Sequence, residues 1–253
     1  MFKKAILFIS IVTITISANA QNGYGGSYTE VGVFTGPVFF KSDYGERGSF
    51  ENFEKNNGFT IGASYYLSTI NNYQGLQDNF KLRLELFYTK ADFKHYGKYV
   101  DATSTSVFTK QLRGMYGSSS FTSIGFQVEY YPFKTDDYDR GSSFSPYLSL
   151  GPHINYVSVT SKSTLGELGT YITTPQKYMG GYRNGSMTIA SLTGAIGTRF
   201  KLADYHSLFT ELRAQYFFSD WADGLNPNKA IYSENKSNDW CVGLNLGYIY
   251  YFN

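Results

Sequence analysis

Three histidines and one nearby serine are the residues of this chain best suited to proton-transfer chemistry. A serine hydrolase needs a nucleophile within hydrogen-bond reach of an imidazole base, and an acid that orients the base. His153 and Ser149 share one face of an extended segment, but along a strand they are too far apart for a hydrogen bond. His95 lies in a long connection and His206 ends a short turn. We therefore expect structural or surface roles for the histidines and no catalytic residues.

Two acidic clusters are the candidates for binding a metal ion. The first cluster consists of Asp220, Asp223, Asn226 and Asn228, and the second of Asp136, Asp137 and Asp139. Neither cluster has the D-x-D-x-D-G spacing of a calcium-binding loop, in which alternate residues supply the oxygen ligands. We therefore interpret both clusters as solvated turns, and we expect no metal site and no cofactor.

Charged residues of both signs recur on one face of the extended segments. The predicted interior polar network consists of Glu30, Lys81, Arg83, Glu85, Glu129, His153, Arg199, Lys201, Glu211 and Arg213. If eight such segments close into a barrel, its interior has room only for its own side chains, and buried charges there must be paired. The sequence thus favours a plug of salt bridges inside a barrel over a gated ion path.

Eight segments with alternating apolar and polar residues must position this network. The last segment is the clearest, because from Trp240 to Phe252 large apolar residues alternate with small or polar ones. A strand places successive side chains on opposite faces, so each segment has one apolar face. The predicted strands are 29–40, 58–67, 80–91, 121–133, 146–157, 189–202, 207–218 and 240–252.

The connections between these strands alternate between short and long. Short links follow the second, fourth and sixth strands, and long links follow the first, third, fifth and seventh. Alternating short and long links are typical of an up-and-down barrel with both termini in the periplasm, and they are not expected in a soluble sandwich. The predicted fold is all-β, an eight-stranded antiparallel up-and-down transmembrane β-barrel with a filled polar interior. Pro37 and Pro152 fall inside predicted strands and suggest bulges or local register shifts.

The N-terminal segment and the composition indicate the compartment. Residues 1–20 contain a basic start, an apolar run and an A-x-A motif, which together predict a cleaved signal peptide. Residues 21–253 then form a single barrel domain, which we expect in the bacterial outer membrane. The net charge of +2 does not indicate a nucleic-acid partner. The single cysteine, Cys241, excludes an intramolecular disulfide.

Several stretches of the chain resemble a family of small outer-membrane proteins from flavobacteria and their relatives. The stretches are EVGVFTGPVFFKSDYGERG, KHYGKYVD, YYPFKTDDY, GELGT, GTRFKLADYHSL, SDWADGLNPN and ENKSNDW. The function of that family is unassigned. More distantly, the signal peptide, the first strand and the eight-strand plan resemble PorG-like barrels, which are associated with type IX secretion and contact a periplasmic ring. No functional residue is carried over from either family.

The expected function is that of a non-catalytic scaffold or partner-binding barrel, which the PorG-like resemblance links to protein secretion. We expect a monomer surrounded by outer-membrane lipid, with a protein partner at its periplasmic or surface side. Two alternatives stay open. One is a membrane-embedded enzyme that modifies lipid or peptide, and the other is a surface adhesin or ligand binder that uses the long loops. Tyr, Met and Arg in those loops are common in binding surfaces.

Overall fold

A computed structural model describes residues 27–46, 48–69, 79–133, 144–232 and 235–252. The predicted signal peptide and the acidic segment around Asp136 lie outside these described residues. The strands are β1 (Ser27–Lys41), β2 (Asn57–Thr69), β3 (Phe80–Lys94), β4 (Met115–Tyr130), β5 (Phe144–Ser163), β6 (Gly185–Ala203), β7 (His206–Phe217) and β8 (Trp240–Phe252). Two α-helices lie between strands, α1 (Phe50–Lys55) and α2 (Val107–Gly114), together with short 3-10 helices at Lys98–Val100 and Gln176–Tyr178.

The eight strands form a closed barrel in which each strand pairs with its sequence neighbours and β1 pairs antiparallel with β8. The closing seam runs from Thr29 opposite Phe252 to Lys41 opposite Trp240. The prediction of an eight-stranded antiparallel up-and-down transmembrane barrel with a filled polar interior is confirmed.

The outer face of the barrel carries an apolar belt of the kind that faces lipid. Exposed residues of this belt include Ile61, Leu84, Leu86, Ile124, Phe126, Leu150, Ile154, Ile196, Leu212 and Leu246. At the short-turn end, outward aromatic residues pack in pairs, such as Phe80 with Tyr130 and Tyr250 with Phe252. Aromatic rings are enriched where the hydrocarbon meets the headgroups. The described part of the chain contains no helix with both the length and the apolar character needed to cross a membrane.

Three strands extend at least four residues further at the long-loop end than their sequence predicts. β4 begins at Met115 rather than residue 121, β5 ends at Ser163 rather than 157, and β6 begins at Gly185 rather than 189. The extensions contain small and polar residues such as Ser118 to Ser120, which give no apolar alternation. The pairing continues above the lipid belt, where an outward residue no longer needs to be apolar.

The two strand prolines do not interrupt the register, so the expected bulges or shifts are wrong. β1 keeps one register against β8 on both sides of Pro37, and β4 keeps one register against β5 on both sides of Pro152. Both prolines are exposed on the outer face. The missing N–H therefore removes local pairing without adding a residue to the strand.

Candidate functional site

Arg83 lies at the centre of the barrel interior, where it contacts three carboxylates. Its Nη1 is 2.9 Å from Glu129 Oε1 and 2.9 Å from Glu211 Oε2, and its Nε is 2.9 Å from Glu85 Oε1. All four side chains are fully buried. A charge in this position is tolerated only because opposite charges surround it.

The remaining ion pairs extend this centre in both directions along the barrel axis. Towards the short turns, Arg199 bridges Glu129 at 2.8 Å and Glu30 at 2.5 Å, and Lys81 contacts Glu30 at 2.7 Å. Towards the long loops, Arg213 joins Glu211 and Glu85. Four glutamates thus meet three arginines and one lysine, so this central network has no net charge.

Nine of the ten predicted network residues are buried within the barrel, and the tenth, Lys201, is half-buried near the β6–β7 turn. Neutral side chains complete the hydrogen bonding of the carboxylates. Tyr147 donates to Glu211 at 2.8 Å, Gln127 donates to Glu85 at 2.7 Å, and Tyr131 donates to Glu129 at 2.6 Å. Tyr131 and Tyr147 were not among the predicted set, although each falls on the inward face by strand alternation.

Interior glycines make room for the aromatic rings that stack on this network. Arg213 lies over the ring of Phe34 at 4.8 Å and over that of Phe87 at 5.1 Å. A Cβ added at Gly62 would lie 2.5 Å from atoms of both phenylalanines. The small residues that alternate with large ones in these strands therefore provide space for side chains of other strands.

A layer of aromatic side chains closes the barrel above the ionic network. Phe40, Phe93, Phe121 and Phe217 are buried, with ring centroids 5.3 to 6.3 Å apart in their contacts. None of these four phenylalanines belongs to the predicted interior network, which consists of charged inward residues and His153. With both layers in place, the described interior is packed by side chains from the short turns to the long loops.

The histidines have no arrangement typical of a hydrolase. His153 Nε2 lies 3.1 Å from Glu85 Oε2, while Ser149 donates its hydroxyl hydrogen to Gln127 rather than to a histidine. His206 Nδ1 contacts the hydroxyl of Tyr248, and His95 Nδ1 accepts a hydrogen bond from the backbone N–H of Gly45. These partners indicate positioning roles in the barrel and its loops.

The four long loops fold together into a cap over the end of the barrel from which they extend. We name them L1 (42–56), L2 (95–114), L3 (164–184) and L4 (218–239). L1 binds L2 through Asn52, whose amide exchanges two hydrogen bonds with the backbone of Tyr96. L3 binds L1 through the Tyr178 hydroxyl, which donates to the Asp43 carbonyl at 2.9 Å. L3 and L4 share two backbone hydrogen bonds, from Arg183 and Asn226.

A cavity of about 540 Å³ lies in the cap where the four loops meet. Its walls are largely aromatic and apolar, with Tyr96, Tyr99, Phe108, Tyr178 and Tyr232 among the lining residues. Its polar lining includes His95, Lys177 and Asn235. Small-molecule sites typically combine such apolar walls with a few polar groups that orient the ligand.

His95 supplies a neutral hydrogen-bond donor to this cavity. Burial, and to a smaller extent the charge of Lys177, lower the pKa of His95 to about 3. Because Nδ1 accepts from Gly45, the proton of the neutral ring lies on Nε2. Nε2 has no hydrogen-bond partner among the described residues.

The acidic residues of L4 are not a solvated turn, so that prediction is wrong for Asp220 and Asp223. Both are buried, because L4 folds inward and packs under L3. Asp43 of L1 and Asp239 of L4 join them, and one carboxylate oxygen each from Asp43, Asp220 and Asp239 lie within 4.8 Å of one another. Burial and the charge of Asp43 raise the pKa of Asp223. Residues distant in the sequence thus build a compact oxygen cluster.

Comparisons with known proteins bear on the fold alone. No protein-family model matches the chain, and no curated protein matches it, so the resemblance to flavobacterial and PorG-like barrels stays a prediction. A major outer membrane protein from Thermus thermophilus is 14% identical, with 90% of this chain and 100% of that chain covered and a TM-score of 0.48. Neisserial surface protein A is 14% identical, with 89% and 98% covered and a TM-score of 0.46. Ail, the attachment invasion locus protein of Yersinia pestis, is 15% identical, with 91% and 100% covered and a TM-score of 0.41.

Proposed function

We propose that this chain is a non-catalytic outer-membrane barrel that presents a folded, ligand-binding cap at the cell surface. The observation that carries this proposal is the cavity of about 540 Å³ that is lined by all four long loops. The barrel beneath it acts as a rigid closed scaffold, because its interior is filled by paired charges and aromatic rings. In many proteins the binding residues lie on loops that a rigid scaffold holds in position.

The lipid-facing belt and the loop lengths support the proposed location. Closed barrels with short turns at one end and long loops at the other occur in outer membranes, with the long loops outside. A membrane-impermeant maleimide tests this on intact cells. It should label a Tyr171→Cys variant in L3 and leave an Asp204→Cys variant in the β6–β7 turn unlabelled. The reverse pattern would place the cap in the periplasm and contradict the proposal.

The binding role is tested with a library of small ring-containing fragments and the purified chain in lipid nanodiscs. Fragments should bind the wild type, and a Phe108→Ala variant should weaken their Kd about five- to tenfold through loss of one aromatic wall. Tyr171→Ala is the matched control, because Tyr171 is an exposed aromatic residue of the same cap that does not line the cavity. Fragments that bind none of the three proteins, or all three equally, would refute the cavity as the binding site.

The link to protein secretion is proposed on the PorG-like resemblance alone. Its test is a deletion strain whose secreted proteins are compared with those of the parent. Loss of secreted proteins, restored by the wild-type chain, would support a role as a secretion partner. An unchanged set of secreted proteins would contradict it and leave the ligand-binding proposal standing.

A further inference from the structure

The extended ends of β3, β4 and β5 present a polar surface on the outside of the barrel, directly above the lipid-facing belt. Tyr88 on β3 and Tyr156 on β5 end the apolar belt on this side, and both rings are exposed. We call the surface above them the outer polar face, and its outward residues are Lys90, Asp92, Lys94, Tyr116, Ser118, Ser120, Ser158, Thr160 and Lys162. By contrast, β7 and β8 stay aromatic at the same end, where Tyr216 pairs with Trp240. The polar surface is therefore a feature of one side of the barrel.

Three exposed lysines belong to the outer polar face, and none of them forms an ion pair with a described carboxylate. Lys90 and Lys94 lie on β3, and Lys162 lies on β5. Tyr116 of β4 pairs with Lys94 on one side and with Lys162 on the other, so the two lysines flank one exposed aromatic ring. Neighbouring strands are about 4.8 Å apart, which places the two lysine backbones about 10 Å apart. Asp92 lies between Lys90 and Lys94 on the same face, so the net charge of the face is positive.

A groove of about 470 Å³ adjoins the outer polar face where L3 leaves β5. Its lining residues include Tyr116, Lys162, Glu167, Tyr182 and Asn184. The Asn184 amide is held in place, because its Oδ1 accepts a hydrogen bond from the backbone N–H of Ser161 at 2.6 Å. This contact leaves both N–H groups of the exposed amide nitrogen for a ligand. Aromatic faces beside amide and carboxylate groups suit a sugar ring, whose C–H face is apolar and whose hydroxyl groups donate and accept hydrogen bonds.

The height of the outer polar face decides which lipid headgroup fits it. From Phe80 to Tyr88 a strand tilted by about 40° rises about 21 Å, which matches an apolar band flanked by two aromatic girdles. By the same measure, Lys90 lies about 5 Å above Tyr88 and Lys94 lies about 16 Å above it. The headgroup layer of an ordinary bilayer is only about 5–7 Å thick on each side. A glycerophospholipid headgroup therefore reaches Lys90 but not Lys94, whereas a headgroup of several sugars reaches both lysines.

We propose that the outer polar face and its groove bind the phosphorylated sugar headgroup of a glycolipid in the outer leaflet. This assignment rests on the proposed location, in which the long loops lie outside the cell. The acyl chains of such a lipid cover the apolar belt, so its headgroup lies against the surface directly above. Lys94 and Lys162 bind phosphate groups as point charges. Tyr116 packs against a sugar ring between them, and Glu167 and Asn184 bind the sugar hydroxyls.

The experiment titrates soluble headgroups onto the full chain in phosphatidylcholine nanodiscs by calorimetry. The first probe is the deacylated oligosaccharide of a rough-type lipopolysaccharide, which carries sugars and phosphates but no acyl chains. The second probe is the same oligosaccharide after phosphatase treatment, and the third is glycerophosphoglycerol, the headgroup of phosphatidylglycerol. The first should bind, the second should bind at least fivefold more weakly, and the third should not bind detectably. No binding of the first probe, or equal binding of the first and either of the others, would overturn the proposal.

Two variants test the residues that carry the site. Lys94→Ala combined with Lys162→Ala should weaken binding of the first probe at least tenfold, and Tyr116→Ala should weaken it about fivefold. All three side chains are exposed, so the barrel should fold in both variants. Lys110→Ala combined with Lys236→Ala is the matched control, because it removes the same charge from exposed lysines of the cap outside the outer polar face. An equal loss in this control would reduce the effect to the net charge of the cap and overturn the site.

The cavity variant separates this proposal from the proposed function. Phe108 lines the cavity and lies outside the groove, so Phe108→Ala should bind the first probe as the wild type does. Headgroup binding that persists while ring-containing fragments fail to bind would leave this site standing without the cavity. Fragment binding without headgroup binding would overturn this site alone. The maleimide labelling reports the location of the cap independently of both.

Discussion

Replacing Arg83 with methionine should destabilise the barrel more than any surface change. Arg83 contacts Glu85, Glu129 and Glu211 at 2.9 Å each, and all four side chains are buried. Its removal leaves four glutamates against three cations in the central network, that is, one uncompensated buried charge. Breaking a buried ion pair in this way costs about 3–5 kcal/mol. The folding equilibrium constant should fall by about two to three and a half orders of magnitude.

The same reasoning predicts that a second substitution restores much of this loss. In the double variant Arg83→Met with Glu211→Gln, the network is neutral again, and the glutamine keeps the size of the glutamate and one oxygen that accepts from Arg213 and Asn245, as Glu211 Oε1 does. The double variant should lose about 2 kcal/mol less stability than the two single variants lose together, which is within the range for directly coupled residues.

Urea unfolding of the chain folded into lipid vesicles measures these differences, with the heat-modifiable gel mobility of folded barrels as the readout. Lys162→Met is the control, because Lys162 is an exposed cation on the outer extension of β5 and should change stability by less than about 0.5 kcal/mol. The charge-balance argument is refuted if Arg83→Met lowers the free energy of unfolding no more than Lys162→Met does. It is also refuted if the loss in the double variant equals the sum of the losses in Arg83→Met and Glu211→Gln.

Three further predictions test the interior and the cap. In planar bilayers the wild-type chain should give no steady conductance, and stable open channels would contradict the filled interior. Gly247→Ala should cost about 1–3 kcal/mol, because its Cβ would lie 2.1 Å from the ring of Phe209, whereas Gly48→Ala, which has open space around it, should be neutral in the same urea assay. The cap should become less stable as the pH falls below 6.5, because His95 takes up a proton near pH 6.5 in the unfolded chain but stays neutral in the folded cap until about pH 3. Its free energy of unfolding should fall by up to about 1.4 kcal/mol per pH unit. His95→Asn, whose Oδ1 replaces the Nδ1 acceptor, should flatten that dependence in proteolysis at pH 4 and pH 7, and an unchanged slope would contradict the assignment.

The barrel was predictable from the sequence because its strands obey one simple rule. In β3 the residues Leu84 and Leu86 face outward and Arg83 and Glu85 face inward, as a period of two requires. The same rule places Phe217 inward next to outward Phe218, so the aromatic layer was present in the pattern. Charge alone does not identify it, because inward phenylalanines are as apolar as the lipid-facing residues beside them.

The cap could not be predicted because no local pattern encodes it. Asp43 and Asp223 are 180 residues apart in the chain and yet share a hydrogen bond in the cap. Loop residues have no regular alternation of apolar and polar side chains that shows which of them are buried. The sequence therefore predicts a solvated turn at Asp220 and Asp223, both of which are buried. Its burial depends on contacts between L1, L3 and L4, which exist only after the barrel has closed and brought the loops together.

The position of the aspartate cluster gives the contacts between L1 and L4 a specific structural role. β1 ends at Lys41 and β8 begins at Trp240, and these two residues pair at the top of the seam that closes the barrel. Asp43 follows the first of these strands and Asp239 precedes the second, so the cluster lies directly above the seam. The seam joins the first strand to the last, and its closure therefore costs more chain entropy than any other strand pairing in this fold. The hydrogen bonds between L1 and L4, from the Asp43 N–H to Asp223 and from the Asn235 amide to Asp43, hold together the pairing that local sequence contacts support least.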